Sequence, residues 1–100
     1  MLKQISKTDH GLETTGELRK KAGSWLRDRR CALGLSQREL AHRVNVEYYT
    51  FISQIEAGRG RVPADRLGDW AEALQVEPRE FAIKLMRYYD PHTYGLIFES

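Results

Sequence analysis

One cysteine in one hundred residues, Cys31, leaves no partner for an internal disulfide and no second thiolate for a metal cage. It sits beside Ala32 in a helical stretch and reads as a small packing residue rather than a reactive thiol. His10, His42 and His92 stand apart, with no second ligand at metal spacing. No glycine-rich phosphate loop occurs, and no nucleophile has a base in sequence reach. Glu72 and Glu80 read as solvated helix faces. The expectation is therefore a protein that is not an enzyme and needs no cofactor or metal. A signal-peptide core and a membrane-length apolar run are also missing, which predicts a cytoplasmic protein without membrane contact.

Charge of one sign is not in large excess either, with 16 Lys and Arg against 14 Asp and Glu. The distribution is uneven. Residues 1–61 hold 12 Lys and Arg against 7 Asp and Glu, whereas residues 62–100 hold 4 against 7. The first part is suited to approach a polyanion such as double-stranded DNA, and the second should stay clear of it. With 41% hydrophobic residues over this length, one domain with one core is expected.

What the chain does have is helical punctuation. Residues 1–16 lack apolar periodicity and read as a flexible N-terminal tail, whose Lys3 and Lys7 are opposed by Asp9 and Glu13. Residues 17–90 read as a domain of five helices. In the first, over residues 17–33, Leu18, Ala22, Trp25, Leu26 and Leu33 recur on one side; Gly23 is a blemish there, worth up to about 1 kcal/mol against Ala. The second, over residues 37–44, has Ser36 as N-cap with Glu39 completing a capping box, and Leu40, Ala41 and Val44 on one face. Ala41 suits a steep helix crossing, and Asn45 tolerates the left-handed exit. A third helix starts near residue 48, with Ile52, Ile55 and Glu56 inward and Gly58 as its stop. Pro63 and Pro78 each open a further helix at a first position, where a missing N–H does no harm. Leu67, Trp70, Ala71 and Leu74 line the fourth. The fifth carries more apolar residues than one buried stripe accommodates, and residues 91–100 end in a short apolar C-terminal tail.

The segments LGLSQRELA at 33–41, ISQIEAG at 52–58, Pro63 and WAEALQV at 70–76 resemble the Cro and phage-repressor (Xre) family of helix-turn-helix regulators. The resemblance spans roughly residues 18–86. It implies an all-α, compact, repressor-like domain that binds operator DNA, usually as a dimer. It also assigns Gln37 to a DNA phosphate at the head of the second helix, with Arg38, Arg43, Arg59 and Arg61 as further phosphate candidates. Tyr48, Tyr49, Thr50, Ser53 and Gln54 become the candidates for base contact on the exposed side of the third helix. Gln54 is the sharpest, since a Gln amide pairs bidentately with adenine. Arg30 and Glu56 align with an ion pair that joins the first helix to the end of the recognition helix.

Three departures from the family pattern stand out. Asn45 replaces a turn glycine, and Arg29 takes a position more often apolar. One extra residue lies between Val46 and Ile52, so either Ile52 or Phe51 is the first core residue of the third helix. The two registers differ by about 100° of rotation.

The surplus apolar surface predicts a homodimer, with Phe81, Leu85, Tyr88, Tyr89, Leu96 and Phe98 as interface candidates. The alternative is that the tail folds back on its own domain. The function expected is a repressor that reads a palindromic operator. The rival is an antitoxin-type module that binds a partner protein, a toxin, and regulates its own operon. A third reading is a non-specific DNA binder.

Overall fold

The computed structural model describes residues 14–99, which form six α-helices and no strand. They are α1 (Thr15–Ala32), α2 (Gln37–Arg43), α3 (Thr50–Glu56), α4 (Leu67–Ala73), α5 (Pro78–Tyr89) and α6 (Pro91–Phe98), with a 3₁₀ turn, Ala64–Arg66, leading into α4. Lys3, Lys7 and most of the N-terminal tail lie outside the described residues.

Four of the helix ends close with the same device. After α1, α2, α3 and α4 the chain passes through one left-handed residue: Gly34 (φ 73°), Asn45 (58°), Gly58 (82°) and Gln75 (57°). The next amide then reaches back five residues: Leu35 to the Arg30 carbonyl, Val46 to Ala41, Arg59 to Gln54 and Val76 to Ala71, at 2.8–3.1 Å. Two of these positions hold residues other than glycine. Asn45 is an accepted substitute, and Gln75 is held by the packing of Val76 beyond it.

The helix starts are capped by local sequence. Thr14 with Glu17 and Ser36 with Glu39 form complete capping boxes before α1 and α2. The Glu77 carboxylate caps α5, with Pro78 in its first turn. The Thr14 box lies inside the stretch that sequence reading assigned to the tail, so α1 begins earlier than expected.

The core sits where α1, α2, α3, α4 and α5 meet. Leu26, Leu40, Val44, Ile52, Ile55, Trp70, Leu74, Phe81 and Leu85 are all fully buried there. Phe81, Leu85 and Tyr89, expected at a dimer interface, are thereby corrected to the protomer's own core. The reason is that α5 packs on both α1 and α4, so its wide apolar surface is used within the domain. Tyr88 is half-buried, with the Lys84 ammonium 5.6 Å from its ring centroid. Cys31 is corrected in the other direction, since it is exposed on α1. The residues after Pro91 form a sixth helix against α5 rather than an irregular tail. Pro63 caps the 3₁₀ turn instead of opening α4 directly. Arg29 is accounted for by a contact across the fold: its guanidinium donates to the Leu74 carbonyl at 2.7 Å, satisfying the end of α4.

Candidate nucleic-acid interface

The residues expected to meet DNA are carried by α2, α3 and the chain on either side of α3. Leu40, Ala41 and Val44 hold α2 on the core, which turns Arg38, His42 and Arg43 outward. The chain leaves through Asn45, crosses the exposed residues Glu47 and Tyr48, and enters α3 at Tyr49. Ile52 is fully buried, whereas Phe51 is 39% exposed. The register is thus the one in which Ile52 starts the core face. The extra residue is taken up in the irregular chain before α3, and Phe51 lies along an open apolar groove of about 290 Å³ shared with Val46, Tyr48, Pro63 and Trp70.

With Ile52 and Ile55 inward, Thr50 and Gln54 are exposed, Ser53 is half-buried, and Tyr48 and Tyr49 project at the head of the helix. The Arg38 guanidinium lies over the Tyr49 ring, 4.3 Å from its centroid, and ties α2 to the start of α3.

Behind this face α3 is seated on α1 through a polar network. Arg30 Nε donates to Glu56 Oε2 at 2.7 Å and Arg30 Nη2 to Oε1 at 3.0 Å, a bidentate pair out of solvent. Arg30 Nη1 also donates to the Leu35 carbonyl at 2.7 Å. The hydrogen bond to Glu56 outweighs burial and holds the Arg30 guanidinium more firmly protonated than usual. Gln37 Nε2 donates to Glu56 Oε1 at 3.0 Å, so the amide expected at a phosphate is turned, in the free protein, toward this buried carboxylate.

The seat depends on two glycines. A Cβ on Gly23 would stand 2.3 Å from the Glu56 carbonyl oxygen, and one on Gly58 would stand 2.9 Å from the Lys20 backbone nitrogen. Backbone approaches backbone at both places, and no side chain fits. Sequence reading missed this role for Gly23, because helix propensity alone marks the residue as a cost. Gly58, legible as the stop of α3, gave no sign of which surface it meets.

The arginines after α3 differ. Arg59 is exposed, whereas Arg61 is held by Asp90 at 2.9 Å and lies over the Tyr89 ring at 4.6 Å. The Tyr89 hydroxyl in turn accepts from the Val62 amide at 3.3 Å, and burial raises the affinity of that phenol for its proton. Arg61 therefore fastens the loop after α3 to the junction of α5 and α6, and its charge is partly met within the protein.

A model of the helix-turn-helix family matches residues 26–81. The chain belongs to the Cro and phage-repressor (Xre) helix-turn-helix family. Members of this family are DNA-binding transcription regulators and not enzymes, and this Xre-family chain is a DNA-binding regulator. It is 40% identical over 74 residues to an uncharacterized transcriptional regulator in the ATPase CF(0) region of Rhodospirillum rubrum, covering 74% of this chain and 67% of that protein. Among solved structures it is similar to the restriction-modification controller protein C.AhdI from Aeromonas hydrophila, at 35% identity and a TM-score of 0.56. That likeness covers 65% of this chain and 96% of the controller. The clp gene regulator ClgR from C. glutamicum is also similar, at 31% identity and a TM-score of 0.56, over 67% of this chain and 86% of ClgR. The family match ends within α5, so α6 lies beyond it.

Proposed function

We propose that this Xre-family regulator is a homodimeric repressor that lays α3 in the major groove of an inverted-repeat operator. The observation that carries the reading is the register of α3. Burial of Ile52 and Ile55 leaves Tyr48, Tyr49, Thr50 and Gln54 as an outward face of the chemistry base edges require. Arg38 and Arg43, exposed on α2, and Arg59, exposed after α3, supply the sequence-independent attraction to phosphates. A dimer on its operator excludes other proteins from the same DNA, which is repression by occupancy.

The twofold assembly is supported by α6, where Leu96 is 77% exposed and Ile97 and Phe98 are also exposed large apolar residues. Three such neighbours at one end of a helix gain by burial against a second copy. Leu96→Asp should convert a dimer to a monomer in sedimentation at low micromolar concentration and weaken operator binding with it. An unchanged mass would remove α6 from the assembly.

Selection of bound duplexes from a random pool at about 150 mM salt tests the whole reading. Enrichment of two half-sites about 34 Å apart in inverted orientation is the expected result. A flat pool would sink it, and a second chain co-purifying at fixed stoichiometry would move the function to binding a partner protein.

A further inference from the structure

The head of α3, like those of α4 and α6, lacks a side-chain cap, but it alone of the three stands at the face expected to meet DNA. Thr14, Ser36 and Glu77 cap α1, α2 and α5 through side-chain oxygens, whereas Tyr49, at the N-cap of α3, makes no side-chain cap hydrogen bond. The chain leading to it through Glu47 and Tyr48 is exposed. Tyr49 instead receives a contact from another helix, the Arg38 guanidinium 4.3 Å from its ring centroid.

We propose that Arg38 is a positioning residue for base readout: by stacking on Tyr49 it fixes the side chain at the head of α3 in one place against the operator. The inference rests on the reading of α3 as the helix that meets base pairs. Two features favour it over a plain phosphate contact for Arg38. A planar guanidinium lies flat on a ring and leaves its edge free for a phosphate oxygen, so one side chain can serve both ends. The exposed start of α3 also lacks a side-chain cap, so the Ser53 amide donating to the Tyr49 carbonyl at 3.2 Å fixes the backbone there but not the ring. Arg38 thus links α2, whose Ser36 capping box orders its first turn, to the less constrained start of α3. Through Tyr49 it acts on which base is preferred as well as on how tightly DNA is held.

The charge-preserving variant Arg38→Lys separates the two roles, because an ammonium keeps the phosphate attraction but not the flat stack. Relative affinities for the selected operator and its single base-pair substitutions would be measured for the wild type, Arg38→Lys, Tyr49→Ala and the double variant. The expected result is that Arg38→Lys and Tyr49→Ala lose preference at the same base pairs, by about two- to fivefold for Arg38→Lys, the worth of an exposed cation–π contact. The double variant should lose no more than Tyr49→Ala, and Arg38→Lys should keep the wild-type salt slope. Unchanged base preference in Arg38→Lys, or losses that simply multiply in the double variant, overturns the inference while leaving the operator reading intact. A wild type with no preferred operator overturns both. Arg38 and Tyr49 are on the surface, so melting temperatures should fall by no more than a few degrees while preference is lost.

Discussion

Arg30–Glu56 and Arg61–Asp90 are both arginine–carboxylate pairs, closed to 2.7 Å and 2.9 Å; the first fastens the last residue of α3 to α1, the second the chain after α3 to the end of α5. The first has side chains 10% and 4% exposed, the second 38% and 46%. Chemistry and distance are nearly the same, yet the surroundings are not. In the first pair the Glu56 carboxylate accepts from Arg30 and from Gln37, and Arg30 also satisfies the Leu35 carbonyl. Removing either charged member strands the other out of water. In the second, solvent replaces whatever is removed. The end of α3 is thus fastened firmly to α1, while the junction leading to α6 is fastened lightly.

The largest way to break the contrast is Glu56→Ala. It leaves the Arg30 charge buried without its partner, which costs about 3–5 kcal/mol. For a domain of this size that is a fall in Tm of more than about 12 °C, readable by calorimetry. Operator binding should weaken through loss of fold, although Glu56 faces α1 rather than DNA. A variant that keeps the wild-type Tm would show that the buried pair is not what seats α3.

Gly23→Ala attacks the same seat without touching a charge. Helix propensity alone predicts a gain of up to about 1 kcal/mol. The new Cβ would meet the Glu56 carbonyl oxygen at 2.3 Å, so overpacking of about 1–3 kcal/mol should win and the variant should unfold at lower denaturant. Gly68→Ala in α4 is the matched control, because nothing lies within 4 Å of its Cβ. It should stabilise by up to about 1 kcal/mol, giving the two substitutions opposite signs.

These two glycines also show where sequence reading reaches its end. Features set by near neighbours in the chain were legible: the Ser36–Glu39 capping box and the left-handed exit at Asn45. Features set by distant surfaces were not. Gly23 appears as a defect until the Glu56 backbone is placed beside it, and Arg29 as an anomaly until it reaches the end of α4. Phe81, Leu85 and Tyr89 looked like surplus because a single-face count does not know that α5 packs on two helices. The choice between Phe51 and Ile52 needed the fold as well, since both are apolar and adjacent. Even α6 was hidden, as Thr93, Gly95 and Ile97 are weak helix formers, and it is placed by its contact with α5.

Asp90→Ala tests the lighter fastening. A half-exposed pair of this kind is worth about 0–1 kcal/mol, and the effect should shrink further in high salt. Arg61→Ala should cost slightly more than Asp90→Ala, since it also uncovers the Tyr89 ring. If Asp90→Ala instead lowered stability as far as Glu56→Ala does, burial would not be what separates the two pairs.

The smallest effect belongs to carboxylates that are fully exposed yet still bonded, and it extends the comparison to pH. The Ser36 amide donating to Glu39 at 2.8 Å, and the Ser36 hydroxyl in the same capping box, hold the Glu39 carboxyl below its ordinary value; Thr14 does the same to Glu17. A carboxyl with a lowered value in the folded state binds its proton later than in the unfolded chain. Its contribution is therefore complete above the ordinary glutamate range and is lost as pH falls from that range to the lowered value. Tm should decline as pH falls through and below the ordinary glutamate range. Glu39→Gln keeps a side chain that can accept from the Ser36 amide but cannot titrate, so it should flatten that decline while leaving Tm near neutrality almost unchanged. An acid slope identical to the wild type would mean that the first turn of α2 is held by packing of Leu40 and Ala41 on the core, and that the capping carboxylate only decorates it.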